Sequence, residues 1–98
     1  MKQDFLAKAA SEFFSLDLDD LKKSNKDKYA WPRNVCMYLG DRYSKPKVSK
    51  TVIARYWDRD RTIVYNAVKR VTDSIETDRK RKQQYEDFKE YIVSLIKK

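Results

Sequence analysis

The sequence predicts an all-α protein, a compact helical bundle of about five or six helices that contains a helix-turn-helix. Composition is the first reason, because the 98 residues include one glycine and two prolines while 39% are charged. So few helix-breaking residues favour helices over a sheet. The second reason is that apolar side chains recur at the three-and-four spacing of amphipathic helices. The length suits a single domain over residues 1–98 with a modest core.

The N-terminal segment is predicted to hold one helix over residues 3–14, since three phenylalanines and other apolar residues fall near one face. Leucines then alternate with Asp17, Asp19 and Asp20, which suggests a turn into a short helix. The three aspartates lack both the spacing and the glycine of a calcium loop. We therefore interpret them as helix-start charges and not as metal ligands.

The next segment is predicted to be a basic polar loop over residues 22–29, followed by a helix over residues 30–43. Pro32 falls in the first turn of that helix, where a missing N–H costs little. Trp31 is expected to pack in the core rather than to stack on a base. Cys36, the one cysteine, lies in an apolar run and is interpreted as a buried small hydrophobic residue.

Residues 49–72 are predicted to form a short helix over 49–56, a tight turn and a longer helix. Ser49 suits the N-cap of the first helix, and Asp60 caps or opens the second. Trp57 is expected to fill the gap between the helices. The second helix has one apolar seam and an opposite polar face at helical spacing. The seam consists of Val64, Ala67, Val68, Val71 and Ile75, and the polar face of Thr62, Tyr65, Asn66 and Lys69.

A last helix is predicted over residues 78–96, capped by Thr77 or Asp78 and carrying an apolar stripe in its second half. The basic run at residues 79–82 precedes this stripe. We interpret the run as a solvated, helix-supporting segment rather than as a second nucleic-acid site.

The placement of charge indicates a polyanionic partner. The formal net charge is +8. Residues 21–72 carry fourteen basic and four acidic side chains, whereas residues 1–20 carry two basic and five acidic ones. A helix entered through Arg-Asp-Arg within this basic segment can place donors and acceptors in a DNA major groove. The alternative is an ordinary amphipathic helix with a solvated basic face.

The segment WDRDRTIVYNAVKRV resembles the signature of the C-terminal DNA-binding domain of the bacterial replication initiator DnaA. The matching positions are Arg59, Asp60, Thr62, Val64, Asn66 and Ala67. Upstream, ASEFFSLDLDDL is similar to the family's first helix and hydrophobic turn, and WPRNVCMYL to its proline-arginine-glutamine helix entry. The resemblance implies a helix-turn-helix related in shape to the Trp repressor. It also implies sequence-specific binding of double-stranded DNA in replication initiation or its control.

The chain departs from the family pattern at several places. Arg61 occupies the place of a histidine and Ile63 that of a second threonine, while Ile53 replaces a glycine and Trp57 and Asp58 replace two small residues. Arginine favours guanine because it can form bidentate hydrogen bonds with O6 and N7 of that base. We therefore predict a preferred site that differs from the standard initiator box and is richer in guanine at the Arg61 contact.

The predicted DNA contacts follow from the pattern and the resemblance. We assign contacts with base edges to Asp60, Arg61 and Thr62. The alternative role is a structural helix cap for Asp60 and, for Arg61, a contact with phosphate that does not distinguish bases. In the family the loop after the second helix sends an arginine into the minor groove, and Asn25 or Lys26 holds that place here. Backbone or groove contacts are assigned to Lys22, Lys23, Asn25, Lys26, Lys28, Arg33, Asn34, Lys47, Ser49, Arg59, Asn66, Lys69 and Arg70.

Other classes of function find little support in the sequence. Histidine is absent and there is no glycine-rich phosphate loop, so we predict no enzyme, cofactor, metal or small-molecule substrate. Short apolar runs and an N-terminus without a signal-peptide core predict a cytoplasmic protein that contacts no membrane, nucleoid-associated if bacterial or phage. The rival interpretations are a transcriptional regulator of the same fold, a protein-interaction module that uses the basic face, and RNA binding.

Overall fold

The computed structural model describes residues 2–44 and 47–97, and in these it contains six helices and no strand. The all-α prediction is thus confirmed. The helices are α1 (Gln3–Phe13), α2 (Leu18–Lys23), α3 (Asp27–Tyr43), α4 (Lys50–Tyr56), α5 (Arg61–Thr77) and α6 (Arg79–Ile96). None of them is long and apolar enough to cross a membrane. The described residues also contain no group of side chains that could hold a metal ion.

The predicted basic loop over 22–29 is wrong in its bounds. Helix α2 continues to Lys23 and α3 begins at Asp27, so the loop is residues 24–26. The acidic side chain of Asp27 favours a helix start at that point. Pro32 consequently lies in the second turn of α3 and not in the first. In the second turn the missing N–H removes one hydrogen bond from the interior of the helix.

Helix α3 lies at the centre of the bundle, because it packs against α1, α2, α4 and α5. Helix α6 closes the other side by packing against α1 and α5. The predicted seam of α5 is confirmed, since Val64, Ala67 and Val71 are buried and Val68 and Ile75 pack partly buried beside them. The largest fully buried side chains are Trp57, Phe88, Leu6, Leu21, Met37 and Leu39.

The turn between α4 and α5 is closed by backbone hydrogen bonds. The N–H of Asp58 donates to the carbonyl of Arg55 (3.2 Å), and the N–H of Arg59 donates to that of Ala54 (2.9 Å). This pair of bonds is the pattern of a helix C-terminus whose chain reverses through a left-handed residue. Asp58 is that residue, with φ of 54°. The turn therefore forms without the glycine that such positions usually prefer.

A buried polar bridge ties this turn to the rest of the bundle. The indole N–H of Trp57 donates to Oε1 of Gln3 (2.6 Å), and Nε2 of Gln3 donates to the carbonyl of Cys36 (2.9 Å). Trp57 is 1% exposed, so the prediction that it fills the gap between helices is confirmed. Gly40 lies directly beside the Gln3 amide, which occupies the space that a Cβ at residue 40 would need. The bridge fixes α1, α3 and the end of α4 relative to one another.

Both caps predicted around the turn are present. The Ser49 hydroxyl accepts from the N–H of Val52 (3.3 Å), and the Asp60 carboxylate accepts from that of Thr62 (3.0 Å). At α6 the cap is Asp78, which accepts from the N–H groups of Lys80 and Arg81. Each of these short side chains satisfies amide groups that the first turn of a helix leaves without a carbonyl partner.

Candidate nucleic-acid interface

The first turn of α5 and its outward face lie at the surface. Asp60, Arg61 and Thr62 are exposed, as are Asn66 and Lys69 further along the same helix. Tyr65 is 55% exposed. The polar face predicted for this helix is thus present, and neither the bundle nor the acidic α1 covers it.

Asp60 has a structural role that is visible in the geometry. Its Oδ1 accepts the N–H of Thr62, which fixes the start of α5. The side chain remains exposed, and a carboxylate has more acceptor positions than this one bond uses. Capping and a contact with an amino group of a base are therefore compatible in the same residue.

A groove between α4 and the start of α5 brings three arginines together. Arg55, Arg59 and Arg61 line it, with Asp58 as the one acidic residue among the side chains on its wall. Arg55 is exposed and was missed by the sequence reasoning. The signal available was the four-residue spacing of Thr51 and Arg55, which places both on one face of α4. Both residues line this groove.

Arg33 lies inside the bundle, although the sequence predicts a contact with the DNA backbone. It is 7% exposed. Its Nε donates to the carbonyl of Leu21 (2.9 Å), and a terminal nitrogen donates to that of Ser24. Burial and, to a smaller extent, the nearby charge of Arg59 lower the pKa of Arg33. In this position Arg33 closes the C-terminal end of α2 and holds the loop over residues 24–26.

Arg59 is partly buried beside Arg33, and one of its terminal nitrogens is buried without a hydrogen-bond partner in the described part of the chain. Two guanidinium groups near each other repel. An anion near Arg59 would relieve this repulsion.

The other predicted contacts with the DNA backbone or groove differ in their surroundings. Lys22 lies over the ring of Tyr56, 4.3 Å from its centroid, and Lys28 lies 5.0 Å from that of Tyr29. Asn34 is partly buried. The remaining predicted backbone contacts are exposed, namely Lys23, Asn25, Lys26, Lys47, Ser49, Asn66, Lys69 and Arg70.

Lys50, a second residue that the sequence reasoning missed, links three helices. Its Nζ lies 3.0 Å from Oδ1 of Asp41 on α3 and 4.8 Å from the centroid of the Tyr65 ring on α5. The ion pair and the ring contact hold the ammonium group at the edge of the polar face of α5. Its partners, Asp41 and Tyr65, lie on other helices, so no local spacing in the sequence predicts these contacts.

A helical bundle that presents the first turn of one helix behind a tight turn has the architecture of helix-turn-helix DNA-binding proteins. Comparison with known families identifies the class of helix-turn-helix protein. A family described as "Bacterial dnaA protein helix-turn-helix" matches residues 4–71, so the chain belongs to the bacterial DnaA helix-turn-helix family. The chromosomal replication initiator protein DnaA of Flavobacterium psychrophilum is 30% identical over 96 residues. This alignment covers 97% of the chain but 18% of that relative. The resemblance of the WDRDRTIVYNAVKRV segment is thereby confirmed. Helix α6 lies beyond residues 4–71 of the family match, while the alignment with the relative extends over it.

Proposed function

We propose that this chain binds double-stranded DNA in a sequence-specific manner, with α5 entering the major groove at its first turn. The observation that carries the proposal is the exposure of Asp60, Arg61 and Thr62 at the start of a helix bordered by cations. A major groove about 12 Å wide admits an α-helix and exposes distinct donor and acceptor patterns for each base pair. The N-terminal residues of a recognition helix are those that reach base edges in this geometry.

The individual roles are assigned from chemistry. Arg61 offers two parallel N–H groups to guanine O6 and N7, Asp60 accepts from a cytosine or adenine amino group, and Thr62 contacts either kind of edge. Arg55 and Arg59 border the same groove and hold the phosphates on one side. Lys69 and Arg70, further along α5, hold those on the other.

The exposed lysines around the outward face of α5 add binding affinity that does not depend on the DNA sequence. Lys23, Lys26 and Lys47 contact phosphates in this assignment, since they are exposed. Arg33 acts through the loop that it holds and not through a phosphate. With roughly five or six phosphates neutralised by these seven cations, the logarithm of the binding constant falls linearly with the logarithm of the salt concentration, with a slope near −5.

A binding selection from random duplex DNA tests the readout. We expect the wild-type chain to recover a defined motif with guanine opposite Arg61. Arg61→Ala and Thr62→Ala then relax preference at one or two positions, each worth about 1–3 kcal/mol of discrimination. Lys8→Ala is the matched control, because Lys8 lies on the acidic α1 and pairs with Asp4 at 3.4 Å.

Two results would contradict the proposal. If Arg61→Ala weakened every sequence equally, Arg61 would be a phosphate clamp without base choice. If single-stranded DNA or RNA competed as well as duplex in a mobility-shift assay, the major-groove assignment would fail.

We further propose that the binding serves replication initiation or its control. The support is the family and the initiator relative, of which the chain spans 18%. The recovered motif can be located in the host genome by chromatin immunoprecipitation of the tagged chain. Occupancy of the replication origin is the expected result, and occupancy confined to promoters would instead indicate a transcriptional regulator.

A further inference from the structure

The start of α6 carries four consecutive basic residues where a helix favours acidic ones. Residues 79–82 read Arg-Lys-Arg-Lys, and the first turn of the helix contains no acidic residue. Cations are unfavourable near a helix N-terminus, because the partial charge there is positive. This charge placement argues against the interpretation of the run as a helix-supporting segment. Its placement points to a role outside the stability of the fold.

Within residues 2–44 and 47–97, the charges of this run are barely neutralised. Arg81 lies 3.9 Å from the carboxylate of the capping Asp78, while Arg79, Lys80 and Lys82 form no ion pair. All four side chains are exposed. Three unpaired cations on one turn form a concentrated positive surface, which is the footprint of a contact with a polyanion.

Arg81 joins this turn to the DNA-binding face. Its guanidinium lies over the ring of Trp31, 4.7 Å from the centroid. Arg81 also lines a cleft between α3, α5 and α6 together with Asn34 and Arg70, two residues assigned to the DNA backbone. The carboxylates of Asp27 and Asp73 lie in the same cleft. They offset the two arginines, whereas Arg79, Lys80 and Lys82 lie outside the lining of this cleft.

Trp31 supplies a second observation in this cleft. The residue is 8% exposed and lines the wall, and its indole N–H is buried without an acceptor in the described part of the chain. Buried donors of this kind nearly always have a partner. The described residues thus leave this donor of the Trp31 side chain unsatisfied.

The spacing along α5 agrees with the width of the DNA groove. Arg61 and Arg70 are nine residues apart, about 13 Å along the helix axis, while the major groove is about 12 Å wide. At about 100° per residue, the same spacing puts Arg61 and Arg70 on opposite sides of α5, so Arg70 does not follow Arg61 into the groove. Arg81 shares the cleft with Arg70.

We propose that the basic first turn of α6, residues 79–82, is a second contact surface for the DNA backbone, adjoining the groove-binding face through the cleft at Trp31 and Arg70. The proposal rests on the proposed duplex binding and adds phosphates that flank the sequence read by α5. The family match ends at residue 71, whereas the alignment with the initiator relative extends over α6.

The test uses the full chain and a mixed-sequence duplex of roughly 30 base pairs, about 100 Å long. The variant combines Arg79→Gln, Lys80→Gln and Lys82→Gln, which leaves the Arg81–Trp31 contact in place. The control combines Lys2→Gln, Lys8→Gln and Lys97→Gln, which removes the same charge elsewhere. Binding constants are measured by fluorescence anisotropy across a salt series, and stability is measured by urea unfolding.

We expect the variant to lower the magnitude of the log–log salt slope by about two to three units relative to the control, since each lost phosphate contact contributes about 0.9. We also expect the variant to unfold at the same or higher urea concentration, because the cations disfavour their helix end. Weaker binding by an equally stable protein distinguishes a contact surface from a structural role.

Equal slopes for variant and control, with the wild type bound to duplex, would overturn this inference alone and leave the proposed function intact. A variant less stable than the control would also overturn it, because the run would then support the helix. A wild-type chain that fails to bind duplex at all would overturn the proposed function together with this inference.

Discussion

At the scale of single residues, the turn between α4 and α5 depends on an uncommon backbone conformation at Asp58. Its φ of 54° lies in the left-handed region, which side chains with a Cβ disfavour. Aspartate tolerates this region better than most residues, and glycine has no Cβ to clash.

We expect Asp58→Gly to raise the free energy of unfolding by about 0.5–1 kcal/mol, because it removes the cost of the Cβ in the left-handed region. Asp58→Asn is the control, since it removes the same charge and keeps the Cβ. Urea unfolding followed by circular dichroism measures both variants. A gain of equal size in both would mean that the charge of Asp58, and not its backbone conformation, limits stability.

The residues that sequence reasoning placed well are those whose environment is set by the helix on which they lie. Val64, Ala67 and Val71 are buried and Thr62, Asn66 and Lys69 exposed, because helical periodicity alone sorts the two faces. Arg33 shows where such reasoning ends. Its two carbonyl partners belong to the end of α2 and the following loop, and only the tertiary fold brings them within reach.

At the scale of elements, Gln3 and Gly40 set how α1, α3 and α4 fit together. The Gln3 amide donates to the carbonyl of Cys36 and accepts from Trp57, and it occupies the space beside Gly40. A glutamine near the start of a helix reads as an exposed residue in the sequence, yet Gln3 is 8% exposed. Contacts 33 and 54 residues away in the chain determine its position, so its role could not be read from local pattern.

We expect Gly40→Ala to destabilise the fold in the wild-type background, because the new methyl group displaces the Gln3 amide from two buried hydrogen bonds. Leaving a buried partner such as the Trp57 N–H unsatisfied costs about 1–3 kcal/mol. This loss exceeds the gain of about 0.8–1.0 kcal/mol that alanine normally has over glycine within a helix.

The same substitution should have the opposite sign in a Gln3→Ala background. With the amide already removed, only the helix propensity of alanine remains, and Gly40→Ala should then stabilise. Urea unfolding of the four proteins completes a double-mutant cycle. Equal effects of Gly40→Ala in both backgrounds would show that the Gln3 amide does not limit the packing of these helices.

At the scale of the whole molecule, acidic and basic residues lie on different parts of the fold. The acidic residues of segment 1–20 lie on α1, α2 and the turn between them, while the basic excess lies on residues 21–72, from the end of α2 to α5. This separation was visible in the sequence because charge totals need no structure. The proposed link between the first turn of α6 and the basic surface was not visible in the sequence. It depends on the cleft formed by Trp31, Arg70 and Arg81, which exists only after α3, α5 and α6 pack.

The folded protein raises the pKa of several tyrosines and of the buried thiol of Cys36, and the sequence contains no histidine. Burial, together with the nearby Asp4 carboxylate, raises the pKa of Tyr56 to about 12. Burial and the neighbouring Tyr43 raise the pKa of Tyr85. A 2.6 Å hydrogen bond to Glu12 is the main cause of the raised pKa of Tyr91.

These shifts predict a loss of stability at alkaline pH. In the unfolded chain a tyrosine loses its proton near pH 10, whereas the folded chain keeps it up to a higher pH. Below pH 10 both states are protonated and the contribution is fully present. Between about pH 10 and 12 the unfolded state binds fewer protons than the folded one, so the free energy of unfolding falls as pH rises. Between pH 6 and 8.5 we expect it to stay nearly constant.

Urea unfolding at a series of pH values from 7 to 11.5 measures this dependence, and Tyr56→Phe should reduce its slope above pH 10. Tyr65→Phe is the matched control, because Tyr65 is 55% exposed on the outward face of α5 and should leave the slope unchanged. A free energy of unfolding that remained constant up to pH 11.5 would mean that Tyr56, Tyr85 and Tyr91 are not held as neutral phenols by the fold. The contact between Tyr56 and Asp4, which joins α4 to α1, would then lack the energetic role that its geometry gives it.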